Sequence, residues 1–90
     1  MLFIINKSPF ASRALDSCLQ VADRGDTILF IEDGVFAGRL RNLEKVKEKG
    51  IALYALKADA EARGIPSSLP LVDYDGLVNL VENDNTVNWF

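Results

Sequence analysis

Two short, unbroken apolar runs dominate the hydrophobic pattern of the chain. Residues 2–5 and 27–31 are rich in β-branched and aromatic side chains, and turn-forming residues bound each run. Apolar runs without polar alternation are typical of strands covered on both faces, as in a parallel sheet. Residues 51–55 and 70–72 repeat the signal more weakly, and residues 86–89 have the composition of a short last strand.

Helical patterns fill the first two intervals between these predicted strands. Ser8 is a favourable N-cap and Pro9 is favourable in a first turn, so we expect a helix over residues 9–23. A second helix is predicted to end at Gly50, where the apolar periodicity stops. Its expected inward stripe comprises Phe36, Leu40, Leu43 and Val46.

The later intervals predict two shorter helices. Residues 57–63 form the third, which Gly64 and Pro66 should end. Residues 74–82 form the fourth. The apolar residues expected to face inward from the fourth helix are Leu77, Val78 and Val81.

The alternation of strand and helix predicts an α/β fold. We expect a three-layer α/β/α arrangement around a mainly parallel central sheet of four to five strands. Ninety residues suit one core, so residues 1–90 are expected to form a single domain. The chain has no internal repeat, low-complexity segment or linker.

Composition narrows the possible functions. A chain this short buries only roughly 60–65% of its unfolded surface on folding. Because 49% of its residues are nevertheless apolar, we expect part of the apolar surface to contact another subunit. The net charge of −3 argues against nucleic-acid binding by the isolated chain. The apolar start lacks a basic region and is too short for a signal peptide, and no segment approaches a membrane span. We therefore expect a cytoplasmic protein.

Polar segments follow the predicted strands, where an open parallel sheet usually binds its ligands. Residues 6–8, 32–34 and 73–75 are expected to meet at this edge. Residues 6–8 contain no glycine and cannot wrap a phosphate as a P-loop does, so an N-cap and a solvated lysine explain them. No cofactor is expected.

Glu32 and Asp33 have the residue types of an acid/base pair but not its expected geometry. Adjacent residues at a strand end point to opposite faces, so the two carboxylates should diverge. We expect a structural role for them, as favourable charge at a helix start, with Gly34 permitting the turn. A magnesium site of Glu32, Asp33 and Asp73 is the weaker alternative.

Two further features have both a structural and a functional interpretation. Helical spacing and flanking glutamates are shared by three basic residues, Arg41, Lys45 and Lys49, and this pattern indicates a solvated helix face. The alternative is that they contact an acidic partner or form part of an RNA-binding surface that several subunits build together. Trp89 and Phe90 at the chain's end must pack either on their own domain or on a neighbouring subunit.

Cys18 is the only cysteine, and the chain has no histidine. A disulfide within the chain and a cysteine-rich zinc site are therefore excluded. On a helix Cys18 would lie near the centre of an apolar stripe, where a thiol behaves as a small hydrophobe with a raised pKa. The nearby cations are Lys7 and Arg13, and Arg13 should face away from it. The other members of that stripe are Ala11, Ala14, Leu15 and Ala22.

Five strings in this order resemble the TusB/DsrH family, the small subunit of sulfur-relay complexes. The strings are NKSPF, LDSC, GDTILFIEDGV, YALKADAEARG and LVDYDGLVNLV, followed by a tryptophan beside the C-terminus. They cover most of the chain and leave chiefly residues 36–50 unmatched. No single string is a strong motif, whereas the ordered set is specific.

The resemblance implies a DsrE-like fold and a heterohexamer with DsrE/TusD-like and DsrF/TusC-like subunits. It implies persulfide transfer toward 2-thiouridine in the tRNA wobble position, or sulfur oxidation. The established persulfide cysteine lies on the larger partner, and Cys18 matches a cysteine of DsrH-type members, which makes it a candidate sulfur acceptor. Many relatives carry a histidine where this chain has Phe3, so a mechanism using imidazole on this subunit is disfavoured. The alternative is a non-catalytic assembly subunit with Cys18 in its core; in either case the chain alone is expected to self-associate.

Overall fold

Strands and helices alternate along the computed structural model, which describes residues 1–41, 43–65 and 68–89. In chain order the elements are β1 (Leu2–Ile5), α1 (Ala14–Val21), β2 (Thr27–Phe30), a 3₁₀ helix (Glu32–Arg39), α2 (Leu43–Glu48), β3 (Ala52–Leu56), α3 (Lys57–Ala62), β4 (Leu71–Val72), α4 (Tyr74–Glu82) and β5 (Thr86–Trp89). The five strands form one sheet in the order β4–β3–β2–β1–β5, and every neighbouring pair is parallel. The predicted α/β class with a parallel sheet is confirmed.

The strand order explains why the two faces of the sheet are covered unequally. From β1 to β4 each strand is added on the same side of the last, so right-handed connections place α1, the 3₁₀ helix, α2 and α3 on one face. The return from β4 to β5 runs the other way and places α4 on the opposite face. The first face contains the main core, built around buried residues such as Ile28 and Phe30. The second has three buried residues, Leu2, Ile4 and Leu29, with Leu77 and Leu80 of α4 packed on them.

The first helix begins later than its sequence signals predict. Ser8 does cap a turn, since its hydroxyl accepts the Phe10 N–H at 3.2 Å and its carbonyl accepts from Ala11 and Ser12. The Ser12 hydroxyl then accepts the Ala14 N–H at 3.1 Å. Serine side chains that bond nearby backbone groups compete with helical hydrogen bonds. Residues 9–11 form a turn, α1 begins only at Ala14, and the prediction of a helix from Pro9 is wrong.

The predicted second helix is two elements rather than one. A 3₁₀ helix spans Glu32–Arg39, Leu40 is extended with ψ 143°, and α2 begins only at Leu43. Val35 and Ala37, outside the expected stripe, are the most buried apolar side chains of the 3₁₀ helix. The break arises because the tighter 3₁₀ winding changes which residues face the sheet, so an α-helical periodicity cannot continue across it.

The last two helices have nearly the predicted bounds. α3 ends at Ala62, Gly64 follows it with φ 61°, and Pro66 lies outside the described residues. α4 spans Tyr74–Glu82 as predicted, but the prediction that Val78 and Val81 face inward is wrong. They are 47% and 39% exposed, and Leu80 packs on the sheet in their place. No helix within the described ranges is long and apolar enough to cross a bilayer.

Candidate functional site

Cys18 lies in the middle of α1 and is completely buried. Ala14 and Leu15, one turn before it, are buried beside it in the main core, as the helical spacing predicts. Burial, and to a lesser extent the negative charge of Asp26, raises the pKa of the Cys18 thiol to about 11. At pH 7 only about one thiol in ten thousand would be ionised. Because the thiolate is the form that attacks sulfur, this environment makes the thiol a poor nucleophile.

Trp89 fastens the last strand to α1, one residue from Cys18. Its indole N–H donates to the Ser17 hydroxyl at 2.9 Å, and that hydroxyl donates in turn to the Ala14 carbonyl at 3.0 Å. The Trp89 ring packs edge-on against Phe3, with centroids 5.6 Å apart. Trp89 thus packs on its own domain, whereas Phe90 lies outside the described residues. Phe3, the other ring of this aromatic pair, is buried.

Glu32 and Asp33, which follow β2, are joined to Asp59 and Arg63 by hydrogen bonds. The Glu32 backbone has φ 49°, a left-handed conformation that is unusual for a residue with a side chain. Its N–H donates to the Asp59 carboxylate at 2.7 Å. The Asp33 carboxylate accepts from Arg63 Nε at 3.0 Å, so Glu32 and Asp33 have different partners and roles. The expectation of a structural role is consistent with this arrangement.

Gly34 has a different role from the one expected. The left-handed residue of this turn is Glu32, while Gly34 is needed for space, because a Cβ there would overlap the Ile5 carbonyl oxygen. The 3₁₀ helix therefore begins directly against the end of β1. Next to this contact, the side-chain oxygen Oδ1 of Asn6 is buried and has no hydrogen-bond partner among the described residues.

The third expected segment of this edge lies apart from the other two. β3 separates β4 from β2, which places Asp73 roughly 10 Å from the end of β2 at the usual strand spacing. The Asp73 carboxylate accepts the Gly76 N–H at 2.8 Å and so caps α4. The magnesium site of Glu32, Asp33 and Asp73 is not formed, and no three metal-binding side chains are grouped anywhere in the described part of the chain.

Sequence analysis did not identify Asp59 and Arg63 as the partners of Glu32 and Asp33. Asp59 lies in α3, and Arg63 is the residue directly after that helix, one turn beyond Asp59. The Arg63 guanidinium also donates to the Asp59 carbonyl at 3.2 Å. Their i, i+4 spacing of opposite charges was the available signal.

The three basic residues expected on the second helix do not share a continuous helix. Lys45 lies in α2, but Arg41 precedes that helix and Lys49 follows it. All three are exposed, in keeping with a solvated surface.

Comparison with known proteins identifies relatives over nearly the whole chain. The sequence model described as DsrH like protein matches residues 7–87. Protein TusB of Photorhabdus laumondii subsp. laumondii is 41% identical over 86 residues, covering 89% of this chain and 90% of that protein. Protein TusB of Pectobacterium parmentieri is 32% identical over 96 residues, covering 99% and 100% of the two chains.

A solved structure has the same fold. The solution NMR structure of protein Tm0979 from Thermotoga maritima superposes with a TM-score of 0.71 at 29% sequence identity. The match covers 93% of this chain and 94% of that one.

Proposed function

The chain belongs to the DsrH-like family, and from that premise we propose that it is a subunit of a cytoplasmic sulfur-relay complex. The observation that carries the proposal is the family match over residues 7–87, together with relatives that span the full chain. Its partners in the proposed complex are a DsrE/TusD-like and a DsrF/TusC-like subunit, in the heterohexamer that the family resemblance implies.

We assign the complex to tRNA thiolation rather than to sulfur oxidation. The relatives reported above are named Protein TusB, and for proteins of that type the family resemblance implies a role in the synthesis of 2-thiouridine. The proposed contribution of this chain is to complete the complex in which a partner's persulfide cysteine passes sulfur on.

Within that complex we propose that Cys18 is a core residue rather than a sulfur carrier. Complete burial and a pKa near 11 support this role, because a sulfur acceptor must be both reachable and ionisable. The contrary role, in which Cys18 accepts sulfur from the partner, would require α1 to open on assembly.

Deletion of the gene, with quantification of wobble 2-thiouridine by mass spectrometry of total tRNA, tests the proposal. We expect 2-thiouridine to be lost and to return with the wild-type gene and equally with Cys18→Ala. Unchanged 2-thiouridine in the deletion strain would refute the tRNA assignment.

The role of Cys18 is tested separately on the purified complex. After incubation with a persulfide donor, intact-mass spectrometry should find added sulfur on the larger partner and none on this chain. Sulfur on this chain that disappears in Cys18→Ala would make Cys18 an acceptor.

A further inference from the structure

The exposed side of α4 carries an apolar stripe that the chain itself does not cover. Tyr74, Val78 and Val81 follow helical i, i+4, i+7 spacing and are 62%, 47% and 39% exposed. None of the nine residues of α4 is buried. Isolated exposed apolar residues are ordinary on protein surfaces, but three on one side of one helix form a patch of the kind found at interfaces. We call these three residues the α4 stripe.

The charged side chains of α4 and of the chain on either side of it are all acidic. All ten lysines and arginines lie between residues 7 and 63, while the remainder of the chain contains four acids and, as its one cation, the Met1 amino group. Two of the four are engaged, since Asp73 caps α4 and Asp84 pairs with the Met1 amino group at 3.0 Å. Asp75 and Glu82 are exposed and lie within one helical turn of Val78, where they border the stripe.

This charge pattern favours a different partner over a second copy of the chain. A symmetric pair of copies with their α4 helices antiparallel would bring Asp75 of one copy beside Glu82 of the other. Like charges at an interface rim oppose association, whereas opposite charges steer it. The surface therefore fits a partner whose apolar contact is bordered by lysine or arginine.

We propose that the α4 stripe is the docking surface for another subunit, one that presents an apolar patch with a basic rim. The inference rests on the proposed function, which supplies that subunit as the DsrE-like or the DsrF-like chain. Specific interfaces bury roughly 800 Å² on each partner. The α4 stripe is therefore the centre of a larger contact, and Asp75 and Glu82 are part of its rim.

The test measures binding of the purified chain to the DsrE-like and DsrF-like subunits of the same organism by isothermal calorimetry. Tyr74→Ser with Val78→Ser removes apolar surface at constant charge, and Asp75→Lys with Glu82→Lys reverses the rim charge. Both pairs should weaken binding to one subunit by about tenfold or more, as central interface residues do. Higher salt should weaken wild-type binding and shrink the effect of the charge reversal.

Matched controls lie on the other face of the sheet. Val21 on α1 is 57% exposed, so Val21→Ser is a control for the Val78→Ser part of the α4 pair and removes exposed apolar surface away from α4. Asp16→Lys with Glu48→Lys reverses two exposed charges on α1 and α2. These controls should bind within about twofold of wild type, and circular dichroism should show all variants folded, because exposed substitutions change stability little.

Each result bears on the proposal in one direction. If wild type binds and the α4 variants bind as the controls do, the docking surface is refuted while the proposed function stands. If wild type binds neither subunit, both are refuted. If sedimentation shows that the α4 variants abolish self-association but leave binding to the other subunits unchanged, the occupant is a second copy and the proposal is wrong.

Discussion

The thiol of Cys18 should react far more slowly in the folded chain than in the unfolded chain. The side chain has no exposed surface, and burial raises its pKa from 9.0 to about 11. At pH 8 that shift alone lowers the thiolate fraction about a hundredfold. A reagent must also wait for α1 to open. If the whole domain must unfold, a stability of about 5 kcal/mol would slow the reaction by roughly a further 10³–10⁴.

The assay follows labelling by a disulfide reagent at pH 8 in buffer and in guanidinium chloride. We expect a native rate at least a hundredfold below the unfolded rate. The matched control moves the thiol two residues along α1, as Gln20→Cys in a Cys18→Ala background, because Gln20 is exposed. Raising the pH toward 11 ionises a growing share of Cys18, so the part of the rate difference that comes from the pKa should shrink.

Native labelling of Cys18 within tenfold of the Gln20→Cys control would refute this reasoning. It would mean that α1 opens freely and that a partner could reach the sulfur. The sulfur-acceptor role of Cys18 would then replace the core role proposed above.

Four further outcomes follow from particular contacts. Cys18→Ser should lower the unfolding free energy by about 1 kcal/mol or more, because it buries a hydroxyl. The nearest helical acceptor for that hydroxyl is the Ala14 carbonyl, which already accepts from Ser17. A urea titration that gives the same unfolding free energy for Cys18→Ser and Cys18→Ala would contradict this prediction. Because the folded pKa of this thiol is raised, its contribution to stability is complete below pH 9 and is lost as the pH rises toward 11. Thermal melts of wild type should therefore decline over that range relative to Cys18→Ala, and parallel curves would count against the pKa. Trp89→Phe keeps an aromatic ring beside Phe3 but loses the 2.9 Å hydrogen bond to Ser17, so it should cost about 1 kcal/mol. A double-mutant cycle with Ser17→Ala measures that bond, and strict additivity would show that it contributes nothing. Glu32→Gln should leave sulfur transfer by the assembled complex nearly unchanged, since the hydrogen bond from Glu32 to Asp59 is donated by the backbone N–H and not by the side chain. A large loss of transfer rate with intact assembly would identify a functional carboxylate.

Local sequence determined the features that depend on short-range periodicity. The apolar runs at Leu2–Ile5 and Thr27–Phe30 became central parallel strands because an unbroken apolar run can be satisfied only between two covering layers. α4 begins and ends at the predicted residues, with Asp73 as its N-cap. The helical spacing around Cys18 correctly placed that thiol in the core, since α1 needs to bury one face.

The tertiary structure alone decided which apolar positions are covered. The pattern of α4 marks Leu77, Val78 and Val81 as apolar, but only the return from β4 to β5 fixes how the helix lies on the sheet and which of them stay exposed. Likewise, the left-handed turn at Glu32 depends on contacts that are distant in sequence. The Glu32 N–H donates to the Asp59 carboxylate, and the 3₁₀ helix approaches the Ile5 carbonyl closely at Gly34. Periodicity indicates which residues share one face of a helix. Whether the protein's own sheet covers that face depends on strand order, because strand order sets how many helices each face of the sheet receives.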